Sequence, residues 1–326
     1  MQFRNAVNIA ARLNCPGSIP PSPLSGFHKD LKRDRPHHEQ NNTLRMNSIR
    51  SWFLVSPLVL VLSCFLVLPV IAIVAVSFWE SSAYSYSPAF ILENYQYLLS
   101  SKVTLSVYLK TLKFAFITWA VCLVIGFTVA YFLAFHVKSL SLQIVLFLLC
   151  TIPFWTSNII RMISWIPFLG RNGIANTVLQ DLGAIDQPLE WLLFSEFAVI
   201  LAFVHLFTLF MIVPIFNTMM RLDRSLIEAA RDAGASSWQI LTNVIIPLTK
   251  PGIMIGSIFV VTLVMGDFIT VRFMSGGQSA SVGRVISNEI GLLQYPAASA
   301  SAVVLLITVL MMISIMLRFV DIRKEL

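Results

Sequence analysis

Six long stretches of the chain are almost purely apolar: 52–77, 107–135, 142–168, 196–219, 252–274 and 297–319. Each is long enough for a helix crossing the hydrocarbon core of a bilayer, which takes about 20 residues. Polar and charged residues gather between them, not in a helical stripe along them. The pattern predicts an all-α integral membrane protein with about six transmembrane helices. Prolines at 57, 69, 153, 167 and 214 fall inside the stretches; membrane helices carry them where neighbouring groups satisfy the freed backbone.

The connections differ in character. Residues 78–106 are rich in Ser, Tyr and Phe, with Trp79, Tyr84, Tyr86, Tyr95 and Tyr97 suited to a membrane–water interface. Residues 169–195 are punctuated by Gly170, Gly173, Gly183 and Pro188. With the N-terminus inside, ten basic residues fall on the cytosolic side (Arg45, Arg50, Lys138, Arg221, Arg224, Arg231, Lys250, Arg318, Arg323, Lys324). Seven fall outside (Lys102, Lys110, Lys113, Arg161, Arg171, Arg272, Arg284). This bias predicts cytosolic termini.

Composition agrees with the pattern. Of the 326 residues 57% are hydrophobic and 12% charged, against about 25% charged in soluble domains, so lipid must serve as the outer solvent. The net charge of +7 does not point to nucleic acid, because no basic face interleaved with aromatics is present. Residues 1–45 are polar, rich in Pro and Asn, and lack the apolar centre of a secretory signal. Two readings of this segment stand: a disordered cytosolic tail, or a stretch ahead of a natural start at Met46, leaving 46–326 as the transmembrane domain. The cysteines at 15, 64, 122 and 150 lack metal or redox spacing, and no metal site is expected.

The long polar interruption at 221–251 reads RLDRSLIEAARDAGASSWQILTNVIIPLTKP. Leu226–Ala233 contains good helix formers, Ser225 is a candidate N-cap with Glu228 as capping-box partner, and Gly234 supplies a left-handed stop. Ser236 or Ser237 can cap a second helix near Trp238, and Pro247 and Pro251 are expected to break or kink the return to the fifth span. The predicted product is a helix–turn–helix on the membrane surface. Its Ala229–Ala230 pair leaves room for a partner's backbone, and Glu228, Arg231 and Asp232 can fix the register. An ordinary amphipathic loop is the plainer alternative from these residues alone.

The order Glu228-Ala229-Ala230, Gly234, Ile246-Pro247 resembles the EAA motif of binding-protein-dependent ABC importer permeases. PFWTSNIIRMISW (153–165), GRNGIANTVL (170–179) and ENYQYLL (93–99) are similar to segments of spermidine/putrescine importer permeases. One stretch departs: GDFITVRFMSGG carries Val271–Arg272 where many relatives have a proline. The resemblance implies a type I ABC importer-like transmembrane domain in a bacterial inner membrane, translocating a small solute, with polyamines favoured. It implies that Glu228, Ala229, Ala230, Arg231, Asp232, Gly234, Ile246 and Pro247 couple to the ATPase. It also implies two ATPase copies carrying ATP and Mg, a second permease and an extracytoplasmic solute-binding protein. A permease for another small solute and a secondary transporter are the alternatives.

No GxxxxGK[ST] loop, HExxH or GxSxG is present, so no catalytic residue and no cofactor is assigned to this chain, and ATP hydrolysis is expected elsewhere. Ionisable residues within membranes are costly and worth weighing as functional. Asp267, about 15 residues into the fifth span or roughly 22 Å at 1.5 Å per residue, is placed in the outer half, where it could attract a cation or pair between helices. His205 and Asn158 are further candidates for the pathway, or else hydrogen-bond partners between helices. Arg272 and Arg161 are read as lying near the outer interface.

Overall fold

The computed structural model describes residues 55–81 and 86–318. The tail at 1–45, Met46, Arg45, Arg50, Arg323 and Lys324, on which sequence expectations were placed, lie outside the described residues. The chain divides into two compact units at Leu68/Pro69. The described part of the first, 55–68, is helical and contains a π turn at Ser63–Val67; it belongs to helix α1, Val55–Val76.

The second unit continues through a two-stranded ribbon, β1 (Glu80–Ser81) and β2 (Tyr86–Ser87), into a helical bundle. Its helices are α2 (Glu93–Ser100), α3 (Lys102–Tyr131, ending in a π turn at Phe132–His136), α4 (Leu140–Thr151), α5 (Asn158–Leu169) and α6 (Ile174–Asp181). These are followed by α7 (Glu196–Met219), α8 (Arg224–Asp232), α9 (Ser237–Ile240), α10 (Ile246–Gly266), α11 (Ile269–Met274), α12 (Val282–Gly291) and α13 (Tyr295–Arg318).

Helix α7 occupies the centre of this unit and packs most extensively on α3 and α10. Its buried residues include Val199, Phe203, Met211 and Ile215 on several sides of the helix, as expected for a helix surrounded by others. At the periphery, α13 leaves Ile307, Leu310, Met311 and Ile315 exposed, a surface suited to lipid. Close approach of α10 to α7 depends on small side chains. A Cβ at Gly252 would sit 2.5 Å from the Pro214 carbonyl oxygen, and one at Gly256 2.8 Å from Met211 Sδ. Gly252→Ala is therefore expected to cost about 1–3 kcal/mol through overpacking, read as a lowered thermal midpoint of the purified protein in detergent.

Among the described residues five helices are long and apolar enough to span a membrane, or six if one bent pair counts as a single span. The fourth expected span, 196–219, coincides with α7. The third does not run straight. Leu140–Trp155 and Asn158–Asp181 meet at 89°, because Pro153 lies in a 3₁₀ turn and Thr156 and Ser157 are extended. The break places Arg161 in the first turn of α5 and not near the outer end of a span. The fifth span is also displaced. A single helical run covers Ser237–Gly266, so Pro247 and Pro251 do not break it. Pro247 stands at the start of α10, directly after a π turn at Leu241–Ile245, where an absent N–H is tolerated. The run ends one residue before Asp267, whose backbone is extended. Asp267 and Arg272 consequently belong to a break and a separate short helix, not to one continuous span.

Candidate functional site

The segment between α7 and α10 forms two short helices joined by a tight turn. Helix α8 starts earlier than its sequence signals suggest. Its N-cap is Asp223, not Ser225: the Asp223 Oδ1 accepts from the Ser225 N–H at 2.9 Å. That bond holds the Asp223 carboxyl below the usual carboxylate range. A carboxylate with a lowered folded-state value supports the fold at neutral pH and loses its contribution only as pH falls through that value in acid. At the other end, Gly234 adopts φ +83°, donating its N–H to Arg231 O at 2.9 Å while Ala235 donates to Ala230 O at 3.0 Å. These two bonds make a Schellman stop. Ser236 then caps α9 in a reciprocal capping box with Gln239.

The amphipathic α8 has two working faces. Ile227 and Ala230 pack against the bundle core, and Arg224 donates from Nη2 to Ala134 O at 3.4 Å, tying α8 to the end of α3. Glu228, Ala229, Arg231, Asp232 and Gly234 are exposed, next to Leu226 and a Trp238 that is 71% exposed. Beneath α8, a cavity of about 370 Å³ is lined by Arg224, Glu228 and Arg231 on one side, and by Phe135, His136 and Ile245 from the two π turns on the other. Ile246 and Pro247 are half-buried at the root of α10. The structure thus brings seven of the eight singled-out positions to one loop surface or its root, while Ala230 points into the bundle. Helix α8 is thus anchored to the bundle core and α3 on one face and exposed on the other.

The polar residues of the bundle do not converge on one point. Asn158 Oδ1 accepts from Arg161 Nη2 one turn away. His205 Nδ1 accepts from Trp165 Nε1 at 3.0 Å, an interhelical bond. Asp267 is half-buried, and its Oδ1 accepts from the Thr270 N–H at 2.7 Å, bracing α11. Sequence reasoning missed Glu289 on α12, which accepts from Ser301 Oγ at 3.1 Å while the Tyr108 hydroxyl donates to Ser301 O. The available signal was a carboxylate on a short amphipathic segment between two spans. Neither Asp267 nor Glu289 has a basic group within 4 Å among the described residues; the ion pairs there join Glu196 to Lys110 and Lys113, and Arg171 to Glu190. The described cysteines, Cys64, Cys122 and Cys150, are free.

A family model described as "Binding-protein-dependent transport system inner membrane component" matches residues 122–323, which include the whole α8–α9 loop. The chain belongs to that family. The permease is 36% identical over 253 residues to the spermidine/putrescine transport system permease protein PotB of Salmonella typhimurium (strain SL1344), covering 77% of this chain and 87% of the relative. PotB of Escherichia coli (strain K12) is also 36% identical, over 76% of this chain and 90% of its own length. Among solved structures, a bacterial ABC transporter involved in import of the acidic polysaccharide alginate shares the permease's fold, with TM-score 0.69 and 17% identity, over 85% of this chain and 98% of that one. The chain is thus an inner-membrane, multi-pass permease subunit of an ABC importer, a transport subunit and not an enzyme, with ATP hydrolysis on a separate subunit.

Proposed function

We propose that this permease imports a polyamine of the spermidine/putrescine kind, with both termini and the α8–α9 loop on the cytosolic side. The observation that carries the substrate class is the 36% identity to PotB across 77% of the chain. Two carboxylates without basic neighbours, Asp267 and Glu289, supply the charge that a cationic cargo needs. The bias in basic residues, ten against six once Arg161 is set aside, supports the orientation.

In this reading the chain pairs with a second permease around a shared route, and a solute-binding protein delivers the cargo. The solved alginate importer in complex with its pentasaccharide-bound periplasmic protein illustrates such an assembly. Two ATPase subunits, carrying ATP and Mg, grip the exposed face formed by Glu228, Ala229, Arg231 and Asp232. Their closure moves α8, and with it α3 through Arg224–Ala134 and α10 through the π turn. Transport is then a population shift between inward- and outward-open bundles, driven by the motor's differential affinity for the two.

The test is uptake of labelled putrescine and spermidine by cells lacking other polyamine importers and expressing the permease with its companion subunits. Saturable uptake that excess unlabelled polyamine abolishes and excess neutral sugar does not is the expected result. No uptake of either polyamine by an assembled complex that hydrolyses ATP would remove the substrate assignment.

A further inference from the structure

Arg161 is only 8% exposed, yet no carboxylate lies within 4 Å of it among the described residues. Its Nη2 donates to a neutral acceptor, Asn158 Oδ1, and its buried Nε has no acceptor at all. A guanidinium in a membrane-spanning bundle is costly and is normally paired. None of the described residues supplies the counter-charge.

The guanidinium lines a cavity of about 400 Å³ together with Thr156, Ser164, Trp165 and His205. The hydroxyls of Thr156 and Ser164 already donate to Pro153 O and Ile160 O. The Trp165 bond to His205 Nδ1 requires that nitrogen to be unprotonated, so Arg161 is the fixed positive charge of the wall. On the side of the cavity α5 leaves Ser164 and Phe168 exposed, and Trp155 across the break is 85% exposed. The wall is thus largely apolar and carries a single charge.

Three sources of an anion can be weighed. His205, on the wall of the same cavity, lies nine residues from the Glu196 end of α7, about 14 Å at 1.5 Å per residue. That is close to the middle of a hydrocarbon core about 30 Å thick, so a lipid phosphate there is poorly placed. A cationic cargo would be repelled. A neighbouring protein's carboxylate remains. It is not offered by the described residues of a second copy: none of the five long helices carries an acid away from its ends, and Asp267 and Glu289 are the groups that the reading above assigns to the cargo.

We propose that a second, non-identical permease subunit inserts a carboxylate side chain into this cavity, pairing with Arg161 beside Ser164 and Phe168 of α5. The inference rests on the paired-permease reading above and names where and by what chemistry the pair is locked.

The test uses the complex of this chain with its companion permease and ATPase, purified through a tag on this chain. Arg161→Gln is expected to reduce recovery of the companion at least tenfold and Arg161→Lys less. Neutralising one membrane carboxylate of the companion is expected to restore recovery to Arg161→Gln. Cysteine at Ser164, with Arg161 intact, is expected to cross-link to the companion, which keeps the test valid should Arg161→Gln fold poorly. Full recovery of the companion with Arg161→Gln, with or without altered uptake, or absence of the Ser164→Cys cross-link from an otherwise unaltered assembled complex, overturns the inference and leaves the pairing intact. Failure of the wild-type chain to recover any second permease removes the pairing itself.

Discussion

Valine at position 234 is expected to leave the permease in the membrane at normal abundance while cutting uptake at least tenfold, with ATP hydrolysis by the assembled complex continuing. The position shows why insertion and coupling come apart. A Cβ built on Gly234 meets nothing within 4 Å, so the substitution creates no clash in the bundle. Its cost lies in the backbone, because φ +83° is reached easily only by glycine. An L-residue there costs roughly 1–2 kcal/mol, and a β-branched one more. The strain is relieved by opening the turn, which gives up the Arg231 and Ala230 carbonyl bonds that stop α8 and aim it. Each 1.4 kcal/mol is a tenfold change in population, so the competent arrangement of α8 becomes a minor state. Alanine should fall between glycine and valine. Normal uptake by Gly234→Val, measured beside ATPase rate and membrane abundance, would remove the claim that the motor grips α8.

Much of this surface could be read from the sequence, and the reasons are local. Gly234 as a left-handed stop and Ser236 as a cap follow from short-range backbone chemistry, and both appear in the structure. Helix α7 was legible because an uninterrupted apolar run between Glu196 and Met219 admits few other readings. The misplacements have physical causes as well. Ser225 and Glu228 fit a capping box and so point to Ser225 as N-cap, whereas in the observed cap the Ser225 N–H donates to Asp223 Oδ1. Pro247 misled because it follows a π turn and stands at the start of α10, where the penalty that proline normally carries is small; Pro251 is carried inside the helix. No local signal announces such a turn. The break at 152–157 hid for the opposite reason: four of its six residues are apolar and it lies between apolar runs, so hydropathy runs straight through a corner that the backbone makes. Which polar groups meet across helices, such as Trp165 with His205, depends on packing that no spacing rule encodes.

Asparagine at position 267 is expected to raise the KM for polyamine uptake about tenfold without lowering the stability of the protein. The Asp267 carboxylate performs two separable tasks. One oxygen accepts from the Thr270 N–H at 2.7 Å and braces α11; the charge itself is matched by no basic side chain within 4 Å among the described residues. Asparagine keeps the accepting oxygen and removes the charge, whereas alanine removes both. Bonds to charged groups contribute about 1.5–3 kcal/mol, so a cargo ammonium that loses this partner should bind about tenfold or more weakly. Losing the helix-bracing acceptor costs about 1 kcal/mol. Asp267→Ala should therefore combine the raised KM with a lower thermal midpoint, while Asp267→Asn shows the raised KM alone. If Asp267→Asn transports with an unchanged KM while Asp267→Ala is destabilised, the carboxylate only braces α11, and Glu289 becomes the acidic group to test next for contact with the cation.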